Sequence, residues 1–581
     1  MTDQSAIQSS SQPGSQPWSK SYPPGVRWNA EISVMPVQQI LEDAAAQWPD
    51  QAAVDFMGRR ISYRELDDLA SRAANGFQAL GVGPGIHVGL YLPNTPHYLI
   101  SFFGVLKAGG TVVNYSPLDA AKVLEHKVED SQTDVMVTLD LALLYPQMAR
   151  LLDTTRLKTL VVGDLAEMSG HPDAVRAQLA AGQQLATVTA DDRQRSFQSL
   201  LNQGADYVRH PIADVGDALA VLQYTGGTTG LPKGAMLTHA NLSAAVAQCI
   251  ETTRTEPPVL EPGHERILAV LPPFHIYALT VNMLLGLRIG AELVLHTRFD
   301  AAAAIKDISE KKITAFPGVP TMFVAILNHP STATADLRSL KWCNSGGAPL
   351  PLEVQQAFEK LTGCRLAEGW GMTETSPTGT FTPVPGLQKP GSCGVPSPGI
   401  SFKFLSVEDG RSHVAQGERG ELCVRGANVM KGYWKKPDAT AAIMTADGYM
   451  RTGDVGYMDA DGYIYIVDRT KDMLLCGGFN VYPRTIEEAI YTHPAVEEVS
   501  VIGIHDDYRG QSPKAFIKLK QGAAAFTLEE LKAFLADKLG KHEMVSAMDI
   551  RPELPKTAVG KLSKKELYEE EERKRAGSSA A

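Results

Sequence analysis

At 581 residues the chain is too long for one ordinary domain, and its length implies roughly three or four folding units. Hydrophobic residues at 44% against 21% charged supply sizeable cores, while 55 basic and 65 acidic side chains leave a net charge of −10. That balance excludes a general nucleic-acid coat and a polybasic membrane anchor. Six cysteines spread singly exclude a disulfide scaffold or zinc ribbon and fit a reducing, cytoplasmic setting.

The first twenty residues, rich in Ser, Gln and Pro, carry no apolar core and read as part of a disordered tail over 1–33. Ala52–Phe56 and Arg60–Tyr63 then flank Met57-Gly58-Arg59, a hairpin signal, and Glu65–Leu80 shows helical spacing that stops at Gly81. His87–Leu92, Thr111–Tyr115, Asp134–Leu139 and Leu157–Val162 are strand-like, with helical stretches between most of them. The alternation resumes at Ala218–Tyr224, Ile267–Leu271, Ala291–Leu295 and Ile313–Phe316. Such a pattern predicts an α/β body with mostly parallel sheets buried on both faces. Neither Tyr98–Leu106 nor Ile276–Leu287 reaches the roughly 18–20 apolar residues of a spanning helix, so a soluble protein is expected, with peripheral contact at the inner membrane face left open.

After about Gly391 the character changes. Glu421–Arg425 and Tyr463–Asp468 are short strands among Gly-Asp turns, the mark of a small β subdomain. Beyond Arg469 an α+β unit is expected: a helix over Thr485–Tyr491, strands Glu498–Ile504 and Lys514–Leu519, and a helix opened by the capping box Thr527–Glu530. That last helix carries Leu528, Leu531, Phe534, Leu535 and Leu539 on one face and stops at Gly540. The main boundary falls near Asp468–Arg469, giving a large multi-subdomain N-terminal body over 34–468, a small C-terminal domain over 469–568 and a solvated charged tail over 569–581.

Chemistry concentrates in Tyr224–Gly234, where four glycines, three threonines and Lys233 follow directly on a strand. A loop of exposed backbone N–H groups can wrap polyphosphate oxygens, with Lys233 adding charge. It is not a Walker A motif, because Pro232 precedes and Gly234 follows the lysine. Seven further segments follow in order: Leu271–His275, Ser345–Pro349, Glu368–Glu374, Tyr449–Asp454, Val467–Asp472, Gly477–Pro483 and Leu554–Lys561.

On these eight segments the chain resembles the adenylate-forming superfamily of acyl-CoA synthetases, luciferases and peptide-synthetase adenylation domains. The match runs over about residues 35–568. Its wording, including Asn428–Asp438, is similar to bacterial long-chain fatty acid–CoA ligases. The resemblance implies ATP-dependent activation of a carboxylic acid as acyl-adenylate with release of pyrophosphate, then transfer to the thiol of coenzyme A with release of AMP. It also implies a C-terminal domain that is mobile, pivoting at Lys471 between the two steps.

The same resemblance distributes the site residues. Thr225, Gly226, Gly227, Thr228, Thr229, Gly230 and Lys233 surround the phosphates, with Mg²⁺ held by Thr225 and Glu374. Gly346, Gly347 and Ala348, together with Glu368, Gly369, Trp370, Gly371, Met372 and Thr373, shape the nucleotide slot. Trp370 offers an aromatic face where relatives commonly carry Tyr. Asp454 accepts the ribose hydroxyls, with Arg469 as an added donor, and Lys561 is the catalytic lysine of adenylation. His275 lies beside the acyl carboxylate, and Gly477, Gly478 and Phe479 line the thiol channel after rotation. The acyl wall is expected from Phe274–Leu285, Gly346–Pro349 and Trp370–Thr375. Medium-chain, aromatic, alicyclic or dicarboxylic acids, and a stand-alone enzyme loading a carrier protein, remain alternatives at this point. A homodimer is a family-level expectation only.

Overall fold

The computed structural model describes residues 16–578 apart from 226–230, 349, 478, 507 and 558–561. One seven-stranded sheet runs in the order Gln194–Ser196, Thr159–Gly163, Thr133–Leu139, His87–Leu90, Thr111–Asn114, Leu219–Thr225, Lys233–Thr238. Every pair in it is parallel except the last, where Leu219–Thr225 turns back antiparallel on Lys233–Thr238. His87–Leu90, Thr111–Asn114 and Thr133–Leu139 are buried at every position. Helices cover such strands on both faces, so their sequences do not alternate between apolar and polar residues. The helix Pro96–Lys107 is buried over its whole length, and Lys107 is satisfied inside by Asp67 at 2.7 Å.

A second seven-stranded sheet follows the order Leu366–Glu368, Trp342–Ser345, Ala315–Gly318, Arg266–Ala269, Glu292–Leu295, Ala52–Phe56, Arg59–Ser62. It is parallel up to the terminal hairpin, whose turn residues Met57 and Gly58 both take positive φ. The hairpin signal read at Met57-Gly58-Arg59 thus closes as a two-residue turn, because Arg59 already pairs with Phe56. A four-stranded antiparallel sheet, Ser401–Leu405, Gly420–Arg425, Met450–Met458 and Ile464–Arg469, forms the expected β subdomain. The C-terminal unit is built on a third architecture, with Val496–Asp506 antiparallel to Gly510–Leu519 and Ala547–Ile550 added in parallel. Among the described residues no helix is long and apolar enough to cross a membrane.

Three expectations are corrected. From Gln16 the chain is not a loose tail: Trp18 is buried where Gly462 leaves room for it, the Tyr22 hydroxyl donates to the Pro396 carbonyl, and Arg27 pairs with Glu251 at 3.0 Å. Ser, Gln and Pro dominate only the first twenty residues, while from Trp18 onward widely spaced apolar anchors, Val26 and Ala30 among them, carry the packing. Residues 1–15 lie outside the described residues. At the other end, residues read as a solvated tail continue the helix Lys565–Ser578. That helix buries Leu567, and its Glu570 and Glu571 pair with Arg551 and Lys514. The charge run is an ion-paired face rather than a free one. Finally, the helix opened by Thr527 spans Leu528–Leu535 with its capping box in place. Leu539 is buried from the turns beyond it instead of from the helix.

Candidate active site

A cavity of about 700 Å³ opens where the ends of both large sheets meet the antiparallel sheet. Strand ends deliver the residues: Thr225 closes one parallel strand, Gly346 and Gly347 follow another, and Gly369–Glu374 follow a third. Ligands sit at the carboxyl ends of such strands because the chain there is released from the ladder and its loops converge.

Glycines in these loops are dictated by space. A Cβ at Gly371 would collide with the Pro377 carbonyl, and one at Gly346 would stand 3.0 Å from the Tyr277 ring. That ring cannot yield easily, because its hydroxyl donates to the carbonyl of Asn344 at 3.1 Å and to its side-chain oxygen at 3.0 Å.

At one end of the cavity, Thr225 and Lys233 face each other across the antiparallel pair. The Lys233 ammonium stands 5.1 Å from the centre of the Tyr433 ring. The Tyr433 hydroxyl donates to Glu374 Oε1 at 2.7 Å, and the backbone N–H of Met430 donates to the Glu374 carbonyl. Burial, with the neighbouring carboxylate adding to it, pushes the Tyr433 phenol well above its ordinary value, so it is a proton donor at any working pH. Glu374 is thus a buried carboxylate with one oxygen oriented by a phenol.

At the opposite wall Asp454, only 4% exposed, accepts from Arg469 Nε at 3.0 Å and from Trp370 Nε1 at 2.8 Å. Asp454 and Arg469 are register partners on adjacent antiparallel strands, which fixes their pairing. Asp454 raises the Arg469 guanidinium above its ordinary value, while burial and Arg469 lower the Lys471 ammonium. Lys471 lies in the turn between Ile464–Arg469 and Leu474–Cys476 and borders the cavity. His275 also borders it, its Nδ1 accepting from the backbone N–H of Tyr277 at 3.3 Å, a bond that places the proton of the neutral ring on Nε2. The apolar side is formed by Ile276, Tyr277, Val281, Cys249 and Trp342.

The cavity therefore brings together Thr225, Lys233, His275, Gly346, Gly347, Gly369, Trp370, Gly371, Met372, Thr373, Glu374, Arg469 and Lys471, with Asp454 joined through its two hydrogen bonds. It does not bring in Ala348 or Glu368. Glu368 ends a buried strand near Arg484 of the C-terminal unit, and burial pushes its carboxyl up to about 7. Gly477 and Phe479 stand outside on the hairpin Leu474–Cys476/Phe479–Val481, where Phe479 is 59% exposed and packs on the His542 ring. Gly226, Gly227, Thr228, Thr229, Gly230, Gly478 and Lys561 lie outside the described residues. Sequence reasoning missed Tyr433, Cys249, Thr252 and Trp342 as cavity residues. The Asn428–Asp438 wording contained Tyr433, but nothing in it points to Glu374.

Comparison with known proteins agrees with this geometry. The model of the AMP-binding enzyme family matches residues 41–434, and that of the AMP-binding enzyme C-terminal domain matches residues 485–561. A long-chain-fatty-acid–CoA ligase of Bacillus subtilis is 40% identical over 558 residues, covering 96% of this chain and 98% of the relative. The corresponding ligase of Escherichia coli O157:H7 is 36% identical over 563 residues, covering 95% and 98%. Among solved structures, ATP-bound MatB from Rhodopseudomonas palustris superposes with a TM-score of 0.80 at 27% identity, covering 93% of this chain and 99% of that one. Matched along almost its whole length in sequence and in fold, the chain belongs to the AMP-binding enzyme family.

Proposed function

We propose that this protein is an ATP-dependent acid–CoA ligase acting on long-chain fatty acids. It joins an acid to the α-phosphate of ATP, releases pyrophosphate, and passes the acyl group to the thiol of coenzyme A with release of AMP. The observation that carries the reading is one cavity with a cationic and carboxylate end, a buried Asp454 paired with the more exposed Arg469, and an apolar flank of Val281, Cys249 and Trp342. The relatives named above, long-chain-fatty-acid–CoA ligases at 36% and 40% identity, support the choice of acid.

In this reading Asp454 accepts the ribose hydroxyls and Gly346–Gly347 give the adenine a close backbone approach. Thr225 and Lys233 border the phosphates. The hydroxyl of Thr225 and the carboxylate of Glu374 are hard oxygen donors on one cavity, a set that suits Mg²⁺, and Tyr433 already orients the carboxylate. The ion, when bound, neutralises charge on the phosphates during the displacement. His275 borders the carboxylate of the acid. Lys561 bridges the attacking carboxylate and the α-phosphate, offsetting their repulsion. The C-terminal unit, bounded near Asp468–Arg469, turns at Lys471 between the two steps and carries Gly477, Gly478 and Phe479 to the thiol channel.

The test is acid-dependent AMP release with ATP, Mg²⁺ and coenzyme A across fatty acids of increasing length plus aromatic and dicarboxylic acids. A maximum on long alkyl chains supports the reading. A maximum on short, cyclic or dicarboxylic acids removes the long-chain assignment, and no AMP with any acid removes the ligase.

A further inference from the structure

An aromatic platform for adenine needs a face, yet Trp370 also uses its edge. Its indole Nε1–H donates to Asp454 Oδ2 at 2.8 Å, while Arg469 Nε serves the other oxygen at 3.0 Å. The indole is fixed on its remaining sides. Its backbone N–H donates to Thr380 Oγ1 at 2.9 Å, the Phe402 ring meets it edge-on at 5.8 Å, and the glycine backbone at 379 lies so close that any Cβ there would collide with the six-membered ring.

The two donors reach Asp454 from different parts of the fold. Arg469 comes across the antiparallel ladder, whereas Trp370 follows the edge strand Leu366–Glu368 of the second parallel sheet. Trp370 therefore ties the two sheets together at the acceptor itself. A carboxylate oxygen offers two lone-pair directions, so one donor on each leaves one direction on each. Two acceptors held side by side match two hydroxyls on neighbouring carbons.

We infer that Trp370 is a positioning residue for Asp454, holding its carboxylate so that both oxygens face the vicinal hydroxyls of the nucleotide ribose. The inference rests on the reading of Asp454 as the ribose acceptor and adds how that acceptor is held. The aromatic face alone would be kept by Phe, which has no donor at that place.

The experiment is a double-mutant cycle in the full chain, with ATP and 2′-deoxy-ATP as probes and AMP release as readout. Trp370→Phe should raise KM for ATP about tenfold, the loss expected for a hydrogen bond to a charged acceptor, with kcat changed far less. The preference for ATP over 2′-deoxy-ATP should shrink. In an Asp454→Ala background the same substitution should add no more than about twofold, because the indole N–H has no acceptor left to lose and Phe keeps the aromatic face. An equal factor in both backgrounds, or a lowered KM, overturns the inference. Should Asp454→Ala leave the preference for ATP over 2′-deoxy-ATP intact, the ribose reading itself falls, and this inference with it. A measurement that does not depend on Trp370→Phe folding is the indole N–H spectrum of protein labelled at its six tryptophans. Asp454→Ala should move one of those resonances, and a spectrum with none displaced also overturns the inference.

Discussion

Substituting Gly346 by Ala tests whether the cavity floor is set by one contact. The backbone φ at Gly346 is not among the positive values, so Ala is tolerated by the main chain and the effect comes from the methyl alone. That methyl would sit 3.0, 3.1 and 3.3 Å from three carbons of the Tyr277 ring, inside the roughly 3.5–4.0 Å of a relaxed carbon contact. Relief requires the ring to retreat by about half an ångström, and both hydrogen bonds from its hydroxyl to Asn344 oppose that movement. An overpacking cost of about 1–3 kcal/mol follows. We expect Gly346→Ala to raise KM for ATP and for the acid about 5- to 100-fold and to lower the denaturant midpoint, as read by AMP release and by urea unfolding. Adding Tyr277→Leu, which removes the ring, should recover most of both losses. If Gly346→Ala costs the same with or without the Tyr277 ring, the contact is not the cause and the reasoning fails.

Glu368 supplies a pH test: its carboxyl is raised from 4.5 to about 7, so between those values the folded protein holds a proton that the unfolded chain has lost. Stability from this group is complete below about pH 4.5 and falls as pH rises towards 7, so Glu368→Gln should raise Tm at pH 8 by a few degrees, up to about 3 kcal/mol, and leave it unchanged near pH 4.5. A Tm gain independent of pH would count against the buried carboxyl. Tyr433→Phe removes the donor to Glu374 Oε1, and a Mg²⁺ titration of AMP release should show a requirement about tenfold higher; an unaltered titration would separate Tyr433 from the cation. Lys561→Ala should abolish adenylation while largely sparing thioester formation from supplied acyl-adenylate, and parallel loss of the two half-reactions would remove its assigned role. Trp18→Ala, which loses a buried anchor worth about 3 kcal/mol, should raise hydrogen exchange over the segment following Gln16; unchanged protection there would mean that the arm is held by its other contacts.

Most parallel strands were legible to within a residue or two because burial on both faces removes the polar alternation, as in Asp134–Leu139 within Thr133–Leu139, whereas Gln194–Ser196, Trp342–Ser345 and Leu366–Glu368 were not read as strands. Glycine-bearing loops at the strand ends were legible for a related reason: Gly371 has no room for a side chain. What escaped was pairing at long range. No local pattern joins Tyr433 to Glu374, or brings Cys249 and Thr252 of the helix His239–Thr253 to the cavity wall, since those partners are set by how sheets pack. The ends were misread because composition averages over a segment. Trp18 and Val26 at one end, and Leu567 at the other, are buried side chains set among polar neighbours.

The second sheet has an awkward order of assembly. Its hairpin Ala52–Phe56/Arg59–Ser62 is made first by the ribosome, but Val54 lies beside Leu293, and the whole first sheet is encoded between them. At about 5–20 residues per second, those roughly 240 residues take on the order of ten to fifty seconds to appear. Throughout that interval the hairpin's inner edge, Val54 included, has no strand to lie against. A nascent chain must keep that edge from other chains until residue 295 has emerged, so yield on expression should respond to translation speed and to chaperone supply more than to the stability of the finished enzyme.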